Sequence, residues 1–150
     1  MVITLFCRKL GGAGGVARQM MPAPHPIPQR VLDATIACPT RPDQPLLYRL
    51  SAGRNPVNAD PAAAKAAGFD RPIMHGHCTL GIACRAILQN FCGYDPVRMR
   101  SLAARYTAIV YPGDCLTMRF WQDGPVVTFE CDVEDRGVTV MKNGYCLTAM

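Results

Sequence analysis

Apolar and polar residues take on a regular order at Asp33 and keep it to the end of the chain. Ala34, Ile36 and Cys38 alternate with Thr35 and Ala37, which predicts a short strand, and Gln44 to Leu50 suits a turn or two of helix. Asp60 followed by Pro61 reads as a helix start, a capping carboxylate with proline at the first helical position, and the run AAAKAA then stops at Gly68. Residues Cys78 to Cys92, CTLGIACRAILQNFC, form the longest apolar segment. Leu80, Ala83, Cys84, Ile87 and Phe91 recur at helical spacing, Ile82, Ala86 and Leu88 widen the stripe, and Gly93 ends it. A helix this apolar has to be wrapped by other elements.

Four alternating segments follow: Ser101 to Tyr111, Cys115 to Gln122, Val126 to Val133 and Val138 to Ala149. Leu102, Ala104, Tyr106, Ala108 and Val110 share a face of the first, and Val127, Phe129, Cys131 and Val133 share a face of the third. Pro112-Gly113-Asp114, Asp123-Gly124 and Glu134 to Gly137 supply turn chemistry between them, so the expected sheet is an antiparallel meander. One long buried helix followed by a curling antiparallel sheet is an α+β layout.

Residues 1–31 obey no such order. Gly11, Gly12, Gly14 and Gly15 precede Pro22, Pro24, Pro26 and Pro28, a composition that blocks helix and central strand alike, and the segment reads as a flexible arm or the remnant of a linker. VITLF followed by Gly12, Gly14 and Ala17 imitates the spacing of a dinucleotide-binding loop. That loop must open a helix, and the proline-rich MMPAPHPIP cannot supply one. The division expected is therefore an arm over 1–31 and one folded domain over 32–150.

Composition narrows the class. A chain of 150 residues with 49% hydrophobic and 18% charged residues buries its own core as a single domain, and no apolar run is long enough for a membrane span. Seven basic residues against two acidic ones in residues 1–54 account for the whole net charge of +5. No basic face interleaved with aromatics marks the folded part, so nucleic acid is not an expected partner. Eight cysteines sit mostly inside apolar runs without a C-x-x-C pair, which favours a reducing compartment such as the cytoplasm over a disulfide framework. The basic arm has few serines and too many prolines for an amphipathic targeting helix.

The chemistry concentrates in YRLSAGRNPVNADPAAAKAAGFDRPIMHGHCTLG, Tyr48 to Gly81. Ser51, Asn55-Pro56, Asp60-Pro61, Gly68-Phe69, Pro72-Ile73 and His75-Gly76 stand at the spacing of a motif that reads S-G-D-x-N-P-L-H-x-D-P, an Ala-rich turn, and G-F-x-x-P-I-x-H-G before a buried helix. The segment resembles the signature of MaoC-like, (R)-specific 2-enoyl-CoA hydratases. Because the anchors on both sides align without a gap, the Asp of that motif falls on Gly53 and its His on Asn58. The resemblance runs from about Asp33 to the C-terminus and includes YPGD at 111–114. It implies a single hotdog fold, an antiparallel sheet wrapped around one long central helix.

The resemblance also implies a reaction: water adds across the double bond of an enoyl thioester. That needs a base for the water, an acid for the α-carbon and donors for the charge on the thioester oxygen. In the family the motif's His and Asp share the first two tasks through one water, and the glycine of the H-G pair, here Gly76, gives a backbone N–H to the oxygen. Asn55 is expected to orient the loop or the water. Gly53 has no side chain and Asn58 takes no proton at neutral pH, so the expectation is a thioester-binding site with impaired or lost hydratase activity. No cofactor is implied, since the substrate brings its own CoA.

His77 is the candidate substitute base, weighed against a solvent contact at a helix start; His75 is expected to support the loop, and Asp60 to serve as a cap. His75, His77 and Cys78 are too close together, and lack a distant pair, for a zinc site. Ser51 lies in S-A-G-R rather than in a nucleophile elbow. LFCRKLGGAGG resembles the segment joining the halves of double-hotdog hydratases, so the chain is similar to their C-terminal half. An acyl-CoA thioester and a second hotdog unit, a second copy or another chain, are the expected partners. The competing expectation is a non-catalytic acyl-CoA-binding or hotdog-pairing subunit.

Overall fold

The computed structural model describes residues 23–149. Residues 1–22, with most of the expected arm and the whole glycine-rich decoy, lie outside them. Five strands, β1 (Ala34–Pro39), β2 (Met99–Tyr106), β3 (Cys115–Asp123), β4 (Val126–Val133) and β5 (Val138–Thr148), form one antiparallel sheet in the order β1-β3-β4-β5-β2. Three α-helices precede most of it: α1 (Gln44–Tyr48), α2 (Pro61–Ala66) and the 16-residue α3 (Gly76–Phe91). The sheet curls around α3, which is the expected hotdog arrangement.

The core lies between α3 and the concave face of the sheet. Leu116, Met118 and Phe120 of β3 and Val127, Phe129 and Cys131 of β4 are fully buried there, as the period-two alternation predicts. Gly144 of β5 pairs opposite Phe129. A Cβ at 144 would meet two ring atoms and the carbonyl oxygen of Phe129 at 2.6 Å each, so this crossing tolerates only a hydrogen. On the outer face Arg119 pairs with Glu130 at 3.0 Å and Asp132 at 2.7 Å.

Three expectations change. The sheet is not a simple meander: β3, β4 and β5 follow one another, but β2 pairs with β5 on the far edge. The chain leaves the sheet after Tyr106, earlier than the alternation to Tyr111 suggests, and Thr107 to Asp114 carries it across to β3. There the Val110 carbonyl accepts from the Met74 N–H at 2.8 Å, a bond to the approach of α3 that replaces a ladder bond. The buried stripe of α3 is also rotated. It centres on Cys78, Thr79, Ala83, Ala86 and Ile87, while Leu80, Cys84, Leu88 and Phe91 flank it half-buried, because the sheet grips the helix from one side only.

Of the segment expected as an arm, residues 23–31 run against the outer face of the sheet. His25 Nε2 is 2.8 Å from Thr128 Oγ1, its ring lies 5.1 Å from that of Tyr145, and its carbonyl accepts from Asn143 Nδ2 at 2.8 Å. Arg30 bonds Asp33 and Asp123, and its carbonyl accepts from Trp121 Nε1 at 3.0 Å.

Candidate functional site

The motif residues occupy the crossing between α1 and α3. Local polar bonds shape this stretch. Asn55 caps a 3-10 turn over Pro56–Asn58, its side chain accepting from the Val57 N–H at 3.2 Å, and Asp60 caps α2 by accepting from Ala62 N–H at 2.8 Å. Gly68 closes α2 at a φ of +87°, the left-handed conformation glycine adopts without cost. Asp60 and Gly68 thus have the cap positions the sequence suggests.

Gly53 and Asn58, where motif spacing predicts an acid and a base, are both tied to the segment that leads into α3. Asn58 is buried, and its Nδ2 donates to the Ile73 carbonyl at 2.8 Å, while the Ile73 N–H returns a bond to Val57 O at 3.3 Å. Gly53 is exposed, and its carbonyl lies 3.1 Å from His75 Nε2. A carbonyl only accepts, so that nitrogen carries the proton. His75 Nδ1 is buried without a partner among the described residues, and the ring stands 4.8 Å from that of Tyr48. One imidazole thereby joins the end of α1, the Gly53 loop and the start of α3.

Gly76 is the first residue of α3, where backbone N–H groups have no intrahelical acceptor and the helix end carries partial positive charge. The Tyr106 hydroxyl donates to its carbonyl at 2.9 Å, and the Tyr106 ring would sit 3.4 Å from a Cβ at 76. Burial, and secondarily the Tyr48 phenol, push the Tyr106 hydroxyl above its usual range and keep it a donor. The alternation of apolar residues gave no signal for this bond. It puts Tyr106 of the edge strand at the helix tip.

His77 is exposed on the first turn of α3, and its side chain makes no hydrogen bond among the described residues. Cys78, by contrast, is buried and receives the Gln44 side-chain amide at 3.7 Å, with desolvation raising its pKa. His75, His77 and Cys78 thus have divergent surroundings, and no group of three metal-binding side chains occurs among the described residues.

Asn58 also lines an open cleft of about 230 Å³ together with Pro42, Pro45, Arg71, Pro72 and Pro112. Gly53, His75 and Gly76 do not line it. The two dyad positions therefore serve one loop but not one cleft, and a cleft this size holds part of a ligand rather than the whole of one, since pockets for drug-sized molecules begin at roughly 300 Å³.

Comparison with known proteins gives the chain's relatives. Residues 24–143 match the family described as MaoC like domain. The chain is 38% identical over 149 residues to the peroxisomal enoyl-CoA hydratase 2 of Arabidopsis thaliana, covering 92% of this chain and 47% of the relative. It is 46% identical over 123 residues to 3-hydroxyacyl-thioester dehydratase Y of Mycobacterium tuberculosis, covering 81% and 42%. The crystal structure of a MaoC-like dehydratase from Phytophthora capsici superposes with a TM-score of 0.84 at 35% identity, over 88% of this chain and 47% of that one. The chain spans less than half the length of these relatives.

Proposed function

We infer from one premise, that the chain belongs to the MaoC-like domain family, that it is an enoyl-thioester-binding hotdog unit of acyl-CoA metabolism with hydratase chemistry impaired or lost. One observation carries the reading. The loop that holds the acid and base of the motif is built and hydrogen-bonded, yet its two proton-carrying positions hold Gly53 and Asn58.

The residues left can bind and polarise. Gly76 offers its N–H to the thioester oxygen at a helix start, and Asn55 holds the turn between the two dyad positions. Asn58 donates to a backbone carbonyl and takes no proton. Hydration asks for no cofactor beyond the CoA of the substrate. Each absent acid or base typically costs about 10² to 10⁴ in rate, and a pair acting as a unit costs less than the product.

The loop has room for a side chain at position 53. A Cβ at Gly53 meets nothing within 4 Å, and Gly53 is not among the glycines of positive φ. Crotonyl-CoA hydration, followed by loss of enoyl absorbance, tests the reading. The chain should turn over slowly or not at all, and Gly53→Asp with Asn58→His should raise the rate by at least about 10². A native turnover in the ordinary enzyme range of about 1 to 10³ per second defeats the impairment.

Pairing with a second hotdog unit is part of the same proposal. β2 pairs only with β5 and leaves its other edge open among the described residues, and Leu46, Leu47 and Leu50 beside the site are 50%, 51% and 78% exposed. These features support a non-catalytic, subunit-pairing role alongside ligand binding. Light scattering checks it: a dimer mass is expected, and a clean monomer with no hotdog partner in pull-down removes the pairing.

A further inference from the structure

We propose that Arg71 and the proline-walled cleft at Asn58 form a subsite for a carboxylate carried on the acyl chain of the bound thioester. The proposal rests on the thioester-binding reading and adds a substrate class to it. Its ground is a cation that is held in place but not neutralised. The Arg71 guanidinium lies 4.7 Å from the centre of the Tyr111 ring. That ring belongs to a fixed turn: the Asp114 N–H donates to Tyr111 O at 3.1 Å, Gly113 has a φ of +93°, and Asp114 Oδ2 accepts from the Tyr111 N–H at 2.8 Å.

A second guanidinium, Arg136, lies 5.1 Å from the same ring, and the contrast between the two is informative. Arg136 is neutralised by Asp114 at 2.8 Å and also donates to Ile109 O at 2.7 Å. Arg71 has neither an ion pair nor a side-chain hydrogen bond among the described residues, and it lines the cleft. A guanidinium stacked on a ring keeps its planar fork of donors free and oriented, which is the geometry a carboxylate accepts in two parallel bonds. Stacking alone would suit an arginine that merely covers Tyr111. The lining of the cleft adds what covering does not need: apolar walls from Pro42, Pro45, Leu46 and Pro112 around one unpaired positive charge.

Distance decides which anion fits. Arg71 and Asn58 line one cleft of about 230 Å³, so an anion on Arg71 shares that cleft with the position at which motif spacing predicts the base. The diphosphate of CoA is separated from the thioester sulfur by a pantetheine arm with as many bonds as about four extended residues, roughly 14 Å. A notch of this size does not span that arm. A carboxylate a few bonds beyond the double bond is within reach.

Calorimetry on the full chain tests this with three ligands: crotonyl-pantetheine, its carboxylated analogue glutaconyl-pantetheine, and crotonyl-CoA. Glutaconyl-pantetheine should bind about fivefold tighter than crotonyl-pantetheine, the upper end for a charge pair at an exposed arginine such as Arg71. Arg71→Met, which keeps an apolar stem over Tyr111, should abolish that preference, with crotonyl-pantetheine affinity held within about twofold and the ratio of crotonyl-CoA to crotonyl-pantetheine unchanged. Arg71→Gln serves as the second variant if circular dichroism finds the first unfolded. Equal binding of the two pantetheine thioesters, a preference that survives the substitutions, or a loss confined to the CoA ligand, which marks a phosphate site, overturns the subsite. If no thioester binds at all, the thioester-binding reading has failed and the subsite with it; if the two pantetheine thioesters bind without a preference for the carboxylate, only the subsite has failed.

Discussion

Strands β3, β4 and β5 and the crossing from Gln44 to Gly76 are held by different forces. In the strands Leu116, Met118, Phe120, Val127 and Phe129 are all fully buried, and apolar burial fixes register and shape together. In the crossing only Pro45, Asn58, Ala64 and Met74 are buried, and the chain is kept in place by Asn55 and Asp60 capping, Asn58 reaching Ile73 O and His75 reaching Gly53 O. A region built on burial cannot lose a large side chain without losing stability. A region built on caps keeps its path without ionisable side chains at Gly53 and Asn58, the two positions where motif spacing predicts an acid and a base.

Four measurements break or sharpen that contrast. Phe129→Ala should lower the stability by about 3–5 kcal/mol in urea denaturation, since it opens a cavity at the centre of the sheet; a loss no larger than that of a cap would erase the distinction. Asp60→Ala should cost about 1 kcal/mol by the same measurement, the ordinary worth of an N-cap. Gly53→Asp alone should shift stability by no more than about 0.5 kcal/mol, as a surface change with open space for its Cβ. A cost of several kcal/mol there would mean the loop is packed after all.

The smallest effect concerns the N-terminal segment on the outer face. The Arg30 guanidinium, helped by the Gln122 N–H, holds the Asp33 carboxyl at a pKa of about 2. A carboxylate depressed in the folded state contributes stability above its usual value and loses it as pH falls toward the folded one. Thermal melts of Asp33→Asn and the unaltered chain should therefore differ slightly at pH 7 and converge near pH 2. A constant gap over that window would show that the bonds of Arg30 to Asp123 and Gln122 O carry the attachment instead.

Much of the fold was legible because alternation is a local signal. β4 has the bounds the pattern gives, Val126 to Val133, and the apolar run before Gly93 is α3. What alternation cannot encode is which strands are neighbours. The pairing of β2 with β5 depends on the path from Thr107 to Asp114, whose decisive bond, Met74 N–H to Val110 O, joins residues far apart in sequence. The rotation of the α3 stripe has the same origin, since the sheet selects the buried face. Motif spacing alone selects Gly53, Asn58 and Gly76, and the structure places the first two on the loop and the third at the start of α3. The Tyr106 bond to Gly76 and the stacking of Arg71 on Tyr111 were not legible, because nothing in either local pattern points to a partner tens of residues away.

Gly144 draws a last consequence from the centre of the sheet. Two of the atoms in its way belong to a ring wedged into the core, but the third is main-chain oxygen of β4, the middle strand, and cannot swing aside. A saturation library across β5 should thus show a single silent column at 144 beside more permissive outward-facing neighbours. Crowding would write that blank, so an intolerant position in this chain is no guide by itself to where ligands touch it.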